Sequence, residues 1–174
     1  MATRDIVLYT EGRDVLRKRS KPVRSVTPQI RRLVRDLVDT LNDQRQGIGL
    51  AAPQIGVHRR VIVVRLGGGG DIEPGPPLPL INPEIIEDGD EKRGFDGCLS
   101  FPGLYAETVR PHHLRLTGLD DAGNPVDRIF EGFDAVVVHH EIDHLDGMLF
   151  IDRVVSRRTD LFQRKVYKKG GSSE

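Results

Sequence analysis

The stretch VVVHHEIDHLDGMLF, residues 136–150, contains the pattern H-E-x-x-H. On a helix its two histidines, His140 and His144, lie one turn apart on the same face. Both imidazoles can then reach one metal ion. Glu141 is rotated by about a third of a turn from His140, so its carboxylate lies beside the ion and can take a proton from water. The alternative is an amphipathic helix with exposed charges and two unrelated histidines.

The residues before the pattern make that alternative less favourable. Phe133, Val136 and Val137 give an apolar character to a predicted helix from Gly132 to about Leu145. Burial of polar groups without partners is costly, so an apolar helix that carries two histidines and a glutamate needs a reason. A metal ion supplies that reason.

A complete site needs a third protein ligand. Metzincin peptidases continue the pattern to a third histidine, but that position holds Phe150, and the only glutamate downstream for a thermolysin-like site is the last residue, Glu174. The single cysteine, Cys98, offers a thiolate that binds zinc or ferrous iron. His112 and His113 are rival ligands. A lone cysteine is also often a small buried core residue.

Composition narrows the class of protein. A chain of 174 residues predicts a single domain over residues 1–174, long enough to bury a core without disulfides. Its 26 basic residues balance 26 acidic ones, so no global field attracts nucleic acid or membrane, although a local basic patch is possible. No apolar run approaches the roughly 20 residues that span a bilayer. We therefore expect neither a membrane nor a specific DNA partner.

Periodicity along the chain predicts an α+β domain. Thr27-Pro28 is typical of a helix start, and apolar residues at spacings of three and four predict an amphipathic helix over 28–42. Pro83 places the strand at 80–87 on a sheet edge. The remaining predictions are an irregular segment at 12–25, strands at 61–66, 113–118 and 125–130, a flexible surface loop at 67–79, and a short basic helix from Val154.

Three separated stretches resemble the motifs of peptide deformylases. GIGLAAPQIG (47–56) is similar to G-x-G-x-A-A-x-Q, GCLS (97–100) to E-G-C-L-S, and HEIDHLDG (140–147) to H-E-x-D-H-L-x-G. Their order and spacing also fit. The resemblance implies antiparallel β-sheets around a central helix that carries H-E-x-x-H. It also implies a cytoplasmic bacterial enzyme that removes the N-formyl group from the initiator methionine of nascent peptides.

The resemblance also implies a metal centre. Cys98, His140 and His144 hold one divalent ion per chain, and Glu141 is the acid and base. The family typically uses ferrous iron. Zinc, nickel and cobalt are alternatives, because the spacing of the ligands does not settle the metal.

Further roles concern the substrate. By the resemblance, Gln54 and the backbone N–H of Leu99 face the formyl oxygen, while Ile48, Gly49 and Gly97 lie beside the substrate backbone. Glycines allow two backbones to approach a peptide closely from both sides.

The substrate side chain, methionine, is unbranched and apolar. Its pocket is expected to have walls from Ile48, Leu99, Phe133 and Val137. The last two are chosen from their position on the helix and not from a motif.

Two residues depart from the family pattern. Asp96 replaces the usual glutamate before Gly-Cys, and His139 replaces the usual glutamine before His-Glu. His139 lies about 100° around the helix from His140, so we expect it to face away from the metal.

The C-terminal region is basic. Between residues 153 and 169 seven basic residues stand against one acidic residue, Asp160; they are Arg153, Arg157, Arg158, Arg164, Lys165, Lys168 and Lys169. A solvated helix face explains such a run. The other interpretation is weak contact with ribosomal RNA near the exit of the nascent chain.

Overall fold

The computed structural model describes residues 2–69, 71–154 and 161–163 of the chain. Its helices are α1 (Tyr9–Arg17), α2 (Pro28–Asn42) and α3 (Phe133–Leu145), with short 3₁₀ turns at Ala52–Ile55 and Phe150–Asp152. Its strands are β1 (Gly49–Ala51), β2 (Val61–Arg65), β3 (Pro77–Gly97), β4 (Leu104–Leu119), β5 (Pro125–Glu131) and β6 (Leu161–Gln163). None of the helices in these ranges is long and apolar enough to cross a membrane.

The strands form one antiparallel sheet in the order β1-β2-β3-β4-β5, and β6 pairs with β4. Strand β3 changes partners along its length. Its first residues, 77–81, pair with β2, and the rest pairs with β4 through two register shifts, between Ile81 and Glu84 and between Ile85 and Glu87. These shifts bend the long strand, as β-bulges do.

Strand β2 lies between two helices, and its alternating side chains explain why. Ile62 and Val64 pack into the core cluster that contains the buried face of α3. Val61 and Val63 point the other way, into the cluster formed with α2. A strand whose successive side chains point to opposite faces can be apolar throughout only if both faces are covered. The α+β prediction is confirmed, with α3 packed on the sheet.

Several elements agree with the sequence predictions. Helix α2 has the predicted bounds, and the Thr27 hydroxyl accepts a hydrogen bond of 3.3 Å from the backbone N–H of Ile30. Strands β2 and β5 and helix α3 lie where hydrophobic periodicity places them.

The sheet order places β3 as a whole between β2 and β4, but its pairing with β2 ends at Ile81. Among the described strands, the part from Glu84 onward pairs with β4 alone, so the residues that follow Pro83 have the predicted edge position. Pro83 falls inside the register shift between Ile81 and Glu84. Its missing N–H is tolerated there because the ladder is already interrupted.

Other boundaries differ from the predictions. Helix α1 occupies part of the segment predicted as irregular, and β4 begins at Leu104, well before the predicted strand. The basic helix predicted from Val154 is wrong at Leu161–Gln163, where the chain forms a strand paired with residues 104–106 of β4. Val154 forms an isolated β-bridge with Thr108, and positions 155–160 and 164–174 lie outside the described residues.

Candidate metal centre

Helix α3 presents the three residues of the H-E-x-x-H pattern to the interior. His140, Glu141 and His144 are all buried, with 7%, 4% and 1% of their surface exposed. The helix begins after Gly132 and ends before Gly147, and both glycines have a positive φ, +63° and +73°. Glycine adopts this left-handed conformation without strain, so the chain turns sharply at each end of the buried helix.

The side chains of Cys98, His140 and His144 converge. The Nε2 atom of His144 lies 3.3 Å from Nε2 of His140 and 3.4 Å from Sγ of Cys98. All three donor atoms lie within 4.8 Å of one another. A tetrahedral ion with ordinary metal–nitrogen and metal–sulfur bonds holds its ligand atoms about 3.4–3.6 Å apart. The three residues therefore fit a single metal ion.

Cys98 reaches this place through the hairpin of β3 and β4. Strand β3 ends at Gly97, and a turn follows in which the N–H of Phe101 donates to the Cys98 carbonyl at 2.9 Å. The rival ligands lie elsewhere: the His112 ring contacts the Arg110 carbonyl, and His113 lies 3.8 Å from Glu131. The cysteine is thus the third member of the group.

Asp96 orients the first histidine. Its Oδ1 accepts a hydrogen bond of 2.9 Å from Nδ1 of His140, and its Oδ2 accepts one of 2.7 Å from Nε of Arg110. Burial alone would raise the pKa of Asp96, but His140 and Arg110 outweigh it and hold that pKa well below its usual range. The charged carboxylate fixes the ring so that Nε2 faces the metal position. The aspartate, shorter than the family's usual glutamate, still reaches His140.

Arg110 joins Asp96 to a second carboxylate, Asp143. Its Nη1 lies 2.8 Å from Asp143 Oδ2, and only 1% of its side chain is exposed. Arg153 donates two further hydrogen bonds to Asp143, at 2.8 and 3.0 Å. Burial would raise the pKa of Asp143, but these two arginines lower it. The positive charges of these arginines thus compensate the negative charges of two buried carboxylates, Asp96 and Asp143.

His139 faces away from the metal position, as its place on the helix predicts. Its Nδ1 lies 2.8 Å from Nη1 of Arg110. Burial, together with the charge of Arg110, lowers the pKa of His139 to about 4. The ring is therefore neutral at pH 7 and accepts a hydrogen bond from Arg110.

Glu141 has a raised pKa and a restricted position. Burial raises the pKa of its carboxyl to about 7, and Oε1 has no hydrogen-bond partner within the described part of the chain. Gly49 passes so close that a Cβ added there would lie 2.5 Å from Glu141 Oε2. A side chain at position 49 would therefore displace the carboxylate.

Gln54 and Leu99 both line the cavity beside this centre. The Gln54 side-chain oxygen accepts from the Ala51 N–H at 3.0 Å, which directs its NH₂ group toward Ser100 Oγ at 3.1 Å and Cys98 Sγ at 3.6 Å. Among the described residues, the backbone N–H of Leu99 donates to no protein acceptor.

The N-terminal segment is hydrogen-bonded to both of the turns that contain Gln54 and Leu99. The Val7 N–H donates to the Gln54 carbonyl at 2.7 Å, and the Tyr9 N–H donates to the Ser100 carbonyl at 2.9 Å. The relative position of the two turns therefore depends on a few residues near the start of the chain.

A cavity of about 480 Å³ opens beside this centre. Its walls include ten of the residues that the sequence singles out: Ile48, Gly49, Gln54, Gly97, Cys98, Leu99, Phe133, Val137, His140 and Glu141. His144 lies behind the wall and contacts His140 and Cys98. The predicted site residues thus come from three separated stretches and meet in one place.

Arg110 and Ser100 belong to the site but were not among the residues predicted from the sequence. A signal for Arg110 exists in the strand pattern, since Ala106, Thr108 and Arg110 occupy one buried face of β4. A cation on an otherwise buried face needs a carboxylate partner. This signal was lost because the predicted strand began at residue 113. Ser100 lies within the GCLS motif, where its contact with Gln54 cannot be inferred from spacing.

Known proteins resemble the chain throughout. The sequence matches the polypeptide deformylase family over residues 4–160. A peptide deformylase of Alkalilimnicola ehrlichii is 44% identical over 168 residues, which are 97% of this chain and 91% of the relative. One of Thermomicrobium roseum is 46% identical over 161 residues, 91% of this chain and 90% of the relative.

Solved structures agree with these relatives. The crystal structure of peptide deformylase from Ehrlichia chaffeensis has a TM-score of 0.81 and 33% identity, and covers 90% of each chain. A class I type b peptide deformylase from Acinetobacter baumannii, solved with Met-Ala-Ser bound, has a TM-score of 0.78 and 30% identity, and covers 88% of this chain and 100% of that one. On its sequence, its fold and the family match together, this chain belongs to the polypeptide deformylase family.

Proposed function

We propose that the cavity beside α3 performs the family's reaction, the hydrolytic removal of the N-formyl group from the first methionine of a newly made polypeptide. The proposal rests on one observation: the groups that such a reaction needs lie close together. Three metal-binding atoms, one carboxylate with a raised pKa and two N–H donors belong to residues of one small space. This combination suits the hydrolysis of a small amide.

Cys98, His140 and His144 would hold the metal. A divalent ion bound there would polarise both water and the formyl carbonyl, which is the chemistry that such an ion supplies. Burial lowers the pKa of His144 well below its usual value, so its ring is neutral and its lone pair is available. A thiolate with two imidazoles suits ions of intermediate softness. We assign ferrous iron in the cell, with zinc, nickel or cobalt able to take its place.

Glu141 would move the proton. A general base works best when its pKa lies near the working pH, and burial brings the pKa of Glu141 to about 7. Its carboxylate accepts a proton from the attacking water. It then returns this proton to the amine that leaves when the formyl C–N bond breaks, and formate is released.

Gln54 and Leu99 would stabilise the negative charge that develops on the formyl oxygen. The Gln54 amide is held by Ala51 on one side, so its N–H groups are oriented before the substrate arrives. The Leu99 N–H is a second donor in the adjacent turn. Loss of one such donor typically raises the barrier by about 3–4 kcal/mol.

The peptide would bind as an added strand. Among the described strands, β2 is the one partner of β1, so the outer edge of β1 can pair with the backbone of a substrate near Ile48 and Gly49. Gly97 lies on the opposite wall. Phe133, with 38% of its surface exposed, and the more buried Val137 then contact the methionine side chain.

The cellular setting follows from the substrate. A formylated nascent peptide is made in the bacterial cytoplasm, where we place the enzyme. The basic residues after Arg153 would give weak contact with the ribosome. If removal of residues 165–174 left ribosome affinity and its salt dependence unchanged, this contact would be excluded.

The reaction is tested by formate release from formyl-Met-Ala-Ser, with protein purified without oxygen and loaded with ferrous iron. Glu141→Gln keeps the side-chain shape and removes the base, so the rate should fall by about 10²–10⁴-fold. Glu131→Gln, an exposed glutamate at the end of β5, is the matched control and should retain full activity. Cys98→Ser should lower bound metal. A folded, metal-loaded wild type that releases no formate would disprove the proposal.

A further inference from the structure

Charge is distributed unevenly along this neutral chain. Residues 2–35 contain ten basic and three acidic side chains, whereas residues 71–96 contain eight acidic and two basic ones. The overall balance of 26 against 26 therefore hides a strongly positive N-terminal region. A marked charge asymmetry within one chain is a common sign of contact with a polyanion.

Five of these ten basic residues line a cleft of about 550 Å³ between the N-terminal segments and the connection that follows the 3₁₀ turn at Ala52–Ile55. The Lys21 N–H donates to the His58 carbonyl at 3.2 Å, and the Arg60 N–H donates to the Lys21 carbonyl at 3.0 Å. These bonds hold the two walls together. Six cationic side chains line the cleft: Arg4, Lys18, Arg19, Lys21, Arg32 and Arg59.

Protein carboxylates compensate only part of this charge. The one acidic residue of the lining, Asp36, pairs with Arg4 at 3.0 Å, and Arg19 reaches Asp146 at 3.8 Å. Within the described ranges, Lys18, Lys21 and Arg32 form no ion pair. Like charges gathered in one concave surface repel one another and focus a positive potential outward. Such a cleft attracts anions electrostatically.

We propose that this cleft binds the phosphodiester backbone of RNA without reading its base sequence. Several cations along one cleft match the repeated charge of a nucleic-acid strand. The lining, which consists of described residues, contains no Phe, Tyr or Trp, and the ring of its histidine, His58, already contacts the Val15 carbonyl. The cations therefore make phosphates the principal contact. A flat membrane cannot follow a concave surface. The choice of RNA rests on the proposed function, because newly made polypeptides emerge beside RNA.

The test uses the full-length protein and a fluorescent single-stranded RNA of about twelve nucleotides, with binding followed by anisotropy over a range of salt concentrations. The double variant Lys21→Ala with Arg32→Ala removes two phosphate contacts. The slope of log affinity against log salt concentration should become shallower by about 1.4, and the affinity at about 0.1 M salt should fall by about 25-fold. The control, Arg45→Ala with Lys92→Ala, removes the same charge from exposed sites outside the cleft lining and should bind like wild type.

Each outcome is decisive. Loss of affinity in the cleft variant alone supports the proposal. No RNA binding by the wild type at low salt, equal loss in both double variants, or equally tight binding of poly-glutamate or inorganic tripolyphosphate overturns it. Formate release by the cleft variant should equal that of wild type. Because RNA binding is measured without substrate, failure of the deformylase assay and failure of this proposal remain distinguishable.

Discussion

Substitution of Gly49 by alanine tests how the catalytic carboxylate is positioned. A Cβ at residue 49 would lie 2.5 Å from Oε2, 2.8 Å from Cγ and 2.9 Å from Cδ of Glu141. Non-bonded heavy atoms prefer about 3.5–4.0 Å, so the Glu141 side chain must retreat by about 1 Å. The displaced atoms include Cγ, and Glu141 is only 4% exposed. Rotation of the carboxylate alone therefore does not relieve the contact.

The expected effect is kinetic more than structural. A displacement of about 1 Å at a reacting group costs about 100-fold in rate, whereas overpacking costs about 1–3 kcal/mol of folding free energy. We expect Gly49→Ala to lower kcat for formate release by about 100-fold, with metal content unchanged. Gly89→Ala is the control, because a Cβ at Gly89 has no heavy atom within 4 Å.

A second substitution separates displacement of Glu141 from simple obstruction of the substrate. Aspartate is shorter than glutamate by one methylene, so Glu141→Asp should be less harmful in the Gly49→Ala background than in the wild type. An obstructed substrate would instead raise KM in both backgrounds alike. A Gly49→Ala protein whose kcat stays within about twofold of wild type would refute the steric reasoning.

Three further results are expected. Arg110→Met should destabilise the protein by about 3–5 kcal/mol in denaturant unfolding, because Asp96 loses its buried cation and Asp143 loses one of two; a loss below about 1 kcal/mol would contradict this account. Gly147→Ala should lower the melting temperature, because residue 147 has a φ of +73° and an added Cβ would collide with the backbone at the end of α1; an unchanged melting temperature would count against that contact. In metal-free protein, the folded state binds the proton of Glu141 more tightly than the unfolded state does, because burial raises the folded-state pKa to about 7. The free energy of unfolding therefore falls as pH rises from about 4.5 to about 7. Glu141→Gln should remove up to about 3 kcal/mol of this decline. Parallel pH–stability curves for the wild type and the variant would contradict this prediction.

The parts of the structure that were predictable from sequence are those determined by near neighbours. Helix α2 follows from its apolar spacing and from the Thr27 cap, and β2 from a run of branched apolar residues. The shared face of His140 and His144 follows from helical geometry alone. Cys98 could be proposed as a ligand because the two common peptidase alternatives fail in this sequence.

Features that depend on long-range pairing were not predictable. Pro83 suggested an edge strand, and only the two registers of β3 show that its pairing with β2 ends at Ile81, just before this proline. Arg110 appeared to be one surface charge among many, since its partners are 14 and 33 positions away. The basic run after Arg153 has helical composition, yet at Leu161–Gln163 pairing with β4 prevails over that local preference.

The register of the β3–β4 hairpin also limits how related chains can vary in length. Asp96 is opposite Ala106 in that ladder, and a slip of one residue would turn its carboxylate to the other face of the sheet, away from His140. An insertion or deletion between Asp88 and Cys98 would therefore separate the carboxylate from the histidine, even if every motif residue were kept. The described parts of two connections, at 66–69 and 71–76 and at 120–124, contribute no residue to the metal-binding group. Differences in length among functional relatives should accumulate in these connections, while the run that leads to the cysteine keeps a constant number of residues.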